Sequence, residues 1–80
     1  MELEAQIREA VALQGGFEPD FPAEADFYAD LGMASVKAMQ LLVELEDQFG
    51  VRIPDEEFVQ ATSLEALTAL IAGLKDSAGA

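Results

Sequence analysis

The chain has 80 residues, 51% of them hydrophobic, and its 16 acids against four bases give a net charge of −12. With neither cysteine nor histidine it offers no disulfide, thiolate nucleophile, zinc cluster or histidine-based triad. Its negative field excludes nucleic acid and anionic membranes as partners and favours proteins that present basic surfaces, besides keeping a small apolar chain in solution. The length fits one domain over residues 1–80, with a compact core and no deep catalytic cleft.

Leu3, Ile7, Ala10 and Val11 recur at helical spacing, and Gly15-Gly16 ends this first helix. The opening stretch MELEAQIREAVAL is acidic and amphipathic, unlike a signal or transit peptide. No apolar run approaches the roughly 18 residues of a membrane span. The expected location is the cytoplasm, without membrane insertion, and the expected state is a monomer. Residues 15 to about 34 form a long connection rich in Gly, Pro, Asp and Glu. A loop of that length needs anchors or a function, and Phe17, Phe21, Phe27, Tyr28 and Leu31 are the natural anchors.

A second helix is predicted from about Ser35 to Phe49, closed by Gly50. VRIPDEEF then leads into a short helical turn whose positive end suits Asp55, Glu56 and Glu57. Thr62-Ser63-Leu64-Glu65 reads as a capping box for a last helix that buries Leu64, Leu67, Leu70 or Ile71, and Leu74. Residues 1–2 and 75–80 are expected to fray. No strand pattern competes. The predicted fold is an all-α small four-helix bundle, three main helices plus one short one.

On a helical wheel, Ala38, Leu41, Leu42, Leu45 and Phe49 form the core face of the second helix. Val36, Met39 and Val43 make a separate stripe, which is either part of an unusually wide buried surface or an apolar docking ridge. Ser35 suits an N-cap or first-turn position, and as a plain cap it would contribute about 1 kcal/mol. It is not a nucleophile: Lys37 stands where a nucleophile elbow has its second glycine, and no histidine is present to act as base. No EF-hand spacing occurs, so Glu24, Asp26, Asp30 and Asp55–Glu57 are expected to attract counterions loosely and not to form a metal site.

Asp30-Leu31-Gly32-x-x-Ser35, then Leu41-Leu42-x-Glu44-Leu45-Glu46-Asp47-x-Phe49, then Ile53-Pro54-Asp55-Glu56-Glu57, then Thr62, together resemble an acyl carrier protein, without gaps from about Phe27 to Ile71. The resemblance implies a non-catalytic carrier. Ser35 would be esterified with 4'-phosphopantetheine, taken from coenzyme A by a phosphopantetheinyl transferase. Acyl groups would then be held as thioesters for acyl-loading and acyl-processing enzymes with basic docking patches.

The resemblance further implies apolar docking through Val36, Met39 and Val43, with Glu46, Asp47, Glu56 and Glu57 meeting basic residues. It also implies an acyl pocket lined by Phe27, Leu45, Ile53, Phe58, Ala61 and Leu67, shortened by the bulk of Phe58. Ala34 stands where the family usually has an acid, and Val36 and Gln40 also depart from its pattern. These departures imply a specialised lipid, fatty-acid or polyketide pathway. An aminoacyl, D-alanyl or peptidyl carrier is the alternative cargo class, and an unmodified acidic helical adaptor is the alternative from outside the family.

Overall fold

A computed structural model describes residues 2–79, with Met1 and Ala80 outside the described residues. Four helices follow one another: α1 (Leu3–Gly15), α2 (Ser35–Phe49), α3 (Asp55–Gln60) and α4 (Leu64–Gly79). Helix α1 packs on both α2 and α4, and the short α3 lies against α4. The predicted all-α bundle, with three main helices and one short one, is the observed fold. Gly16 and Gly50 close α1 and α2, each donating its amide to the carbonyl four residues back, at Ala12 and Glu46.

The core is entirely apolar among the described residues. Ile7 and Val11 of α1, Leu41 and Leu45 of α2, and Leu64, Leu67 and Ile71 of α4 are fully buried. Burial of each such aliphatic side chain contributes about 2 kcal/mol. Ala38 and Leu42 complete the α2 core face, with Phe49 packed at its margin. On α4 the choice between Leu70 and Ile71 falls to Ile71, while Leu70 and Leu74 pack at the edge.

One detail at the start of α4 differs from the sequence reading. The cap is Ser63 and not Thr62: Ser63 Oγ accepts the Ala66 amide at 3.2 Å, and its carbonyl accepts the Leu67 amide at 2.9 Å. Thr62 lies one residue before the cap, and its carbonyl accepts the Phe27 amide at 2.7 Å. Glu65 consequently is exposed and closes no capping box. Helix α4 is assigned as far as Gly79. No proline interrupts that stretch, and Lys75 and Ala78 are good helix formers.

The long connection between α1 and α2 is held by aromatic rings and by one arginine. Phe17, Phe21, Phe27 and Tyr28 form a run of edge-on contacts with centroids 5.4, 6.5 and 6.5 Å apart. Arg8 of α1 donates from Nη1 to the carbonyl oxygens of Pro19 and Phe21, and its guanidinium lies 4.9 Å from the Phe21 ring centre. An arginine so engaged fixes the loop against the first helix through charge-assisted bonds and cation–π contact together. Replacing Arg8 with Ala should therefore lower the unfolding free energy by about 2 kcal/mol, read as a lower midpoint in urea with little change in slope. A midpoint equal to that of the parent would show that the rings alone hold the loop.

Candidate functional site

The approach to α2 is built from three consecutive constraints. Asp26 makes the first: its Oδ1 accepts the amides of Tyr28 and Ala29, both at 2.8 Å, and its carbonyl accepts those of Asp30 and Leu31 at 3.0 Å. Asp30 returns the favour through Oδ2, which accepts the Asp26 amide at 2.8 Å. The second constraint is Phe27, buried in the core, with its amide on Thr62 and its carbonyl accepting the Met33 amide at 2.8 Å. Gly32 supplies the third. Its φ of +72° lies in the left-handed region that glycine enters without strain, and it turns the chain so that Met33 is buried.

Helix α2 therefore begins one residue earlier than a serine cap would set it. Ala34 is the N-cap, with φ −75° and ψ 148°, and its carbonyl accepts the Ala38 amide at 3.0 Å. Ser35 is the first helical residue, exposed, and the helix start carries no side-chain cap. The hydroxyl that a plain capping role would occupy is thus left facing solvent. Beside it lies a cleft of about 340 Å³, lined by Tyr28, Ser35, Ala38, Met39, Phe58 and Val59. Burial, and then the charge of Asp26, push the Tyr28 phenol above its ordinary pKa, so it stays neutral at this edge.

The second stripe of α2 is exposed and not part of a wide core. Val36, Met39 and Val43 are 62%, 64% and 64% accessible. Together with Gln14, Gln40 and Glu44 they line a shallow groove of about 480 Å³. Asp47, Glu56 and Glu57 are also exposed. Glu46 is only half exposed, and its Oε2 accepts the Ile53 amide at 2.8 Å, so it ties the α2–α3 loop as well as facing outward.

Phe27, Leu45, Ile53, Phe58, Ala61 and Leu67 are all brought together, but as packed core. Of the six, only Phe58 lines the cleft beside Ser35. Tyr28 and Val59, which flank it, were not among the pocket residues read from the sequence. Alternation across the six-residue α3 places Phe58 inside and Val59 outside, which composition alone does not resolve. Another hollow, about 640 Å³ around Leu13 and Phe17 at the end of α1, shares no lining residue with the surface at Ser35. Among the described residues no group of three or more acids is placed to hold a metal ion, and no helix is long and apolar enough to cross a membrane.

An exposed, uncommitted serine at the first helical position, beside an uncharged cleft, fits a covalent attachment point better than a structural cap. A family model described as phosphopantetheine attachment site matches residues 5–71. The chain belongs to that family. Its members are carriers and not catalysts, and they hold a covalently attached 4'-phosphopantetheine. Phosphopantetheinyl transferases modify them, and they interact with partner enzymes. The environment of Ser35 fits such a group: the hydroxyl is accessible and no acid occupies the first turn of α2.

Asp26 offers a test of how the approach to this carrier's α2 is held. The amides of Ala29 and Tyr28 stabilise its carboxylate and lower its pKa below the ordinary 3.8. A carboxylate depressed in this way stabilises the fold fully above its unfolded pKa, and the contribution is lost as pH falls through the folded value. Asp26→Asn should melt below the parent at neutral pH, with the two melting points converging as pH drops below about 4. A gap that is constant with pH would place its cause outside the carboxylate charge.

Proposed function

We propose that Ser35 is the attachment residue, and that the chain carries acyl intermediates for a specialised lipid, fatty-acid or polyketide pathway. The observation that carries this reading is the position of Ser35: first in the helix, exposed, and relieved of capping by Ala34. When bound, the prosthetic group supplies the thiol on which acyl groups are held as thioesters. The residues around Ser35 supply the rest. The amides of the first turn favour an anionic ester at this point, and Tyr28, Ala38, Met39, Phe58 and Val59 offer an uncharged apolar resting place.

The absence of charge from that lining supports an acyl cargo over an aminoacyl one, whose ammonium would have no partner there. Val36, Met39 and Val43 are the apolar contact for partner enzymes, with Asp47, Glu56 and Glu57 meeting basic residues on them. Glu46 contributes with the oxygen that does not hold Ile53. Apolar contact supplies affinity, and the charges supply steering and register. We read the chain as a cytoplasmic monomer, its net charge opposing self-association.

Incubation with coenzyme A and a broad-specificity phosphopantetheinyl transferase, followed by intact-mass measurement, tests the attachment site. The parent should gain the mass of one phosphopantetheine and Ser35→Ala none. Modification of the Ala variant would move the site elsewhere, and no gain by the parent with several transferases would revive the adaptor reading. The docking ridge is tested by Met39→Glu. With Met39 64% exposed, this variant should keep the helical circular dichroism of the parent while partner turnover falls. A collapsed fold would return Met39 to the core.

A further inference from the structure

The exposed stripe of α2 divides its surface into two flanks, both of which carry acids toward the end of the helix. At about 100° per residue, Ser35 and Glu46 fall on the flank toward Tyr28 and α3, where Asp55, Glu56 and Glu57 are exposed. Lys37, Gln40 and Glu44 fall on the other flank, toward Gln14 at the end of α1. From Ser35 to Val43 the helix has no acid at all, and Lys37 is its only charge. The acids of α2 begin at Glu44 and continue with Glu46 and Asp47. A partner lying over Val36, Met39 and Val43 therefore meets a cation across the ridge from Ser35, no acid of α2 before Glu44, and acids at the far end of the helix and on α3.

Nothing in the fold accounts for that cation. A positive side chain in the first turn opposes the helix dipole. The residues three and four positions from Lys37 are Met33, Ala34, Gln40 and Leu41, none of which carries a carboxylate for it at helical spacing. Two of the other three bases are engaged inside the fold, Arg8 on loop carbonyls and Lys75 over the Phe49 ring at 5.6 Å; Arg52 is exposed in the loop beyond the far end of α2. Lys37 is exposed, two residues from Ser35, about 3 Å further along the axis. At about 100° per residue the two side chains point about 160° apart around the axis, so an enzyme meets Lys37 as well as Ser35 by spanning both flanks of α2.

We infer that the transferase that loads this chain presents a carboxylate to Lys37, together with basic groups to Glu44, Asp47 and the acids of α3. The inference rests on Ser35 being the loaded residue. The order of charges along and across the ridge then selects one orientation of the carrier in the enzyme. It also selects against enzymes whose surface is basic throughout, since these would face Lys37 with like charge.

The test is the loading rate of the full chain by the phosphopantetheinyl transferase of its own host, with coenzyme A, followed by intact mass at about 0.01 M and about 1 M ionic strength. Lys37→Glu should lower kcat/KM about tenfold or more at low salt, mostly through KM, and by much less at high salt. Lys37→Arg should load at the parent rate. Reversal of the facing carboxylate on the transferase to Lys should restore loading of Lys37→Glu. A structural role for Lys37 predicts neither the salt dependence nor that rescue. Loading of Lys37→Glu as fast as the parent, or faster, overturns the inference and leaves Ser35 in place. Failure of the parent to load, while a control carrier loads, overturns the assignment of Ser35 and this inference with it.

Discussion

The whole surface around Ser35 depends on how residue 27 is held. Phe27 is the one residue of the long connection that both enters the core with its ring and bonds through its backbone at each end, to Thr62 and to Met33. The first bond joins the connection to the link between α3 and α4. The second sets where the chain turns upward into α2. Because backbone groups buried away from water must be paired, neither bond is readily given up. A segment of roughly twenty residues without regular structure would otherwise be free to sample many positions, at an entropic cost of about 1 kcal/mol or more per residue ordered. With Phe27 fixed, Asp26 and Gly32 have only short spans to organise, and Ser35 is delivered to a defined place.

That arrangement separates two kinds of apolar residue on one helix. Ala38, Leu41, Leu42 and Leu45 face α1 and α4, while Val36, Met39 and Val43 stay in water. The α1–α2 packing could not bury both sets, since they lie on different sectors of the same cylinder. Helix α3, six residues long, presents Phe58 to the core, leaves Val59 outside and does not cover the second stripe. The cleft beside Ser35 is the space left between that short helix and α2. Brevity in α3 is therefore part of how the site arises.

Much of this was legible from periodicity. The apolar spacing of α1 and α2 and the glycines that follow them mark both helices at their observed limits, because local propensity and core burial agree there. Departures from local preference fall where tertiary structure decides instead. Serine is a better N-cap than alanine, yet Ala34 caps α2, since burial of Met33 and the turn at Gly32 decide where the chain enters. Ser63 and not Thr62 caps α4, while the Thr62 carbonyl holds the Phe27 amide. The six residues read as a pocket converge in the packed core, and of them Phe58 borders the cleft beside Ser35. Which core residues border open space depends on packing detail that no residue pattern encodes.

Exposure of the ridge raises a difficulty that the charge resolves. Leu13, Val36, Met39, Val43 and Val59 are all largely accessible, and a surface of this kind pairs readily with copies of itself. Among the described residues no charged side chain is buried, so the excess of acids acts almost wholly through the external field. Two copies approaching ridge to ridge bring like charges together, whereas an enzyme with basic groups around an apolar spot gains from both terms. The repulsion weakens steeply beyond the Debye length of about 8 Å at physiological salt, and hence opposes close self-contact without hindering diffusion. A carrier must leave each enzyme in order to reach the next. For that purpose a modest apolar stripe with strong, screened charge suits it better than a larger apolar face, because steering accelerates arrival without slowing release.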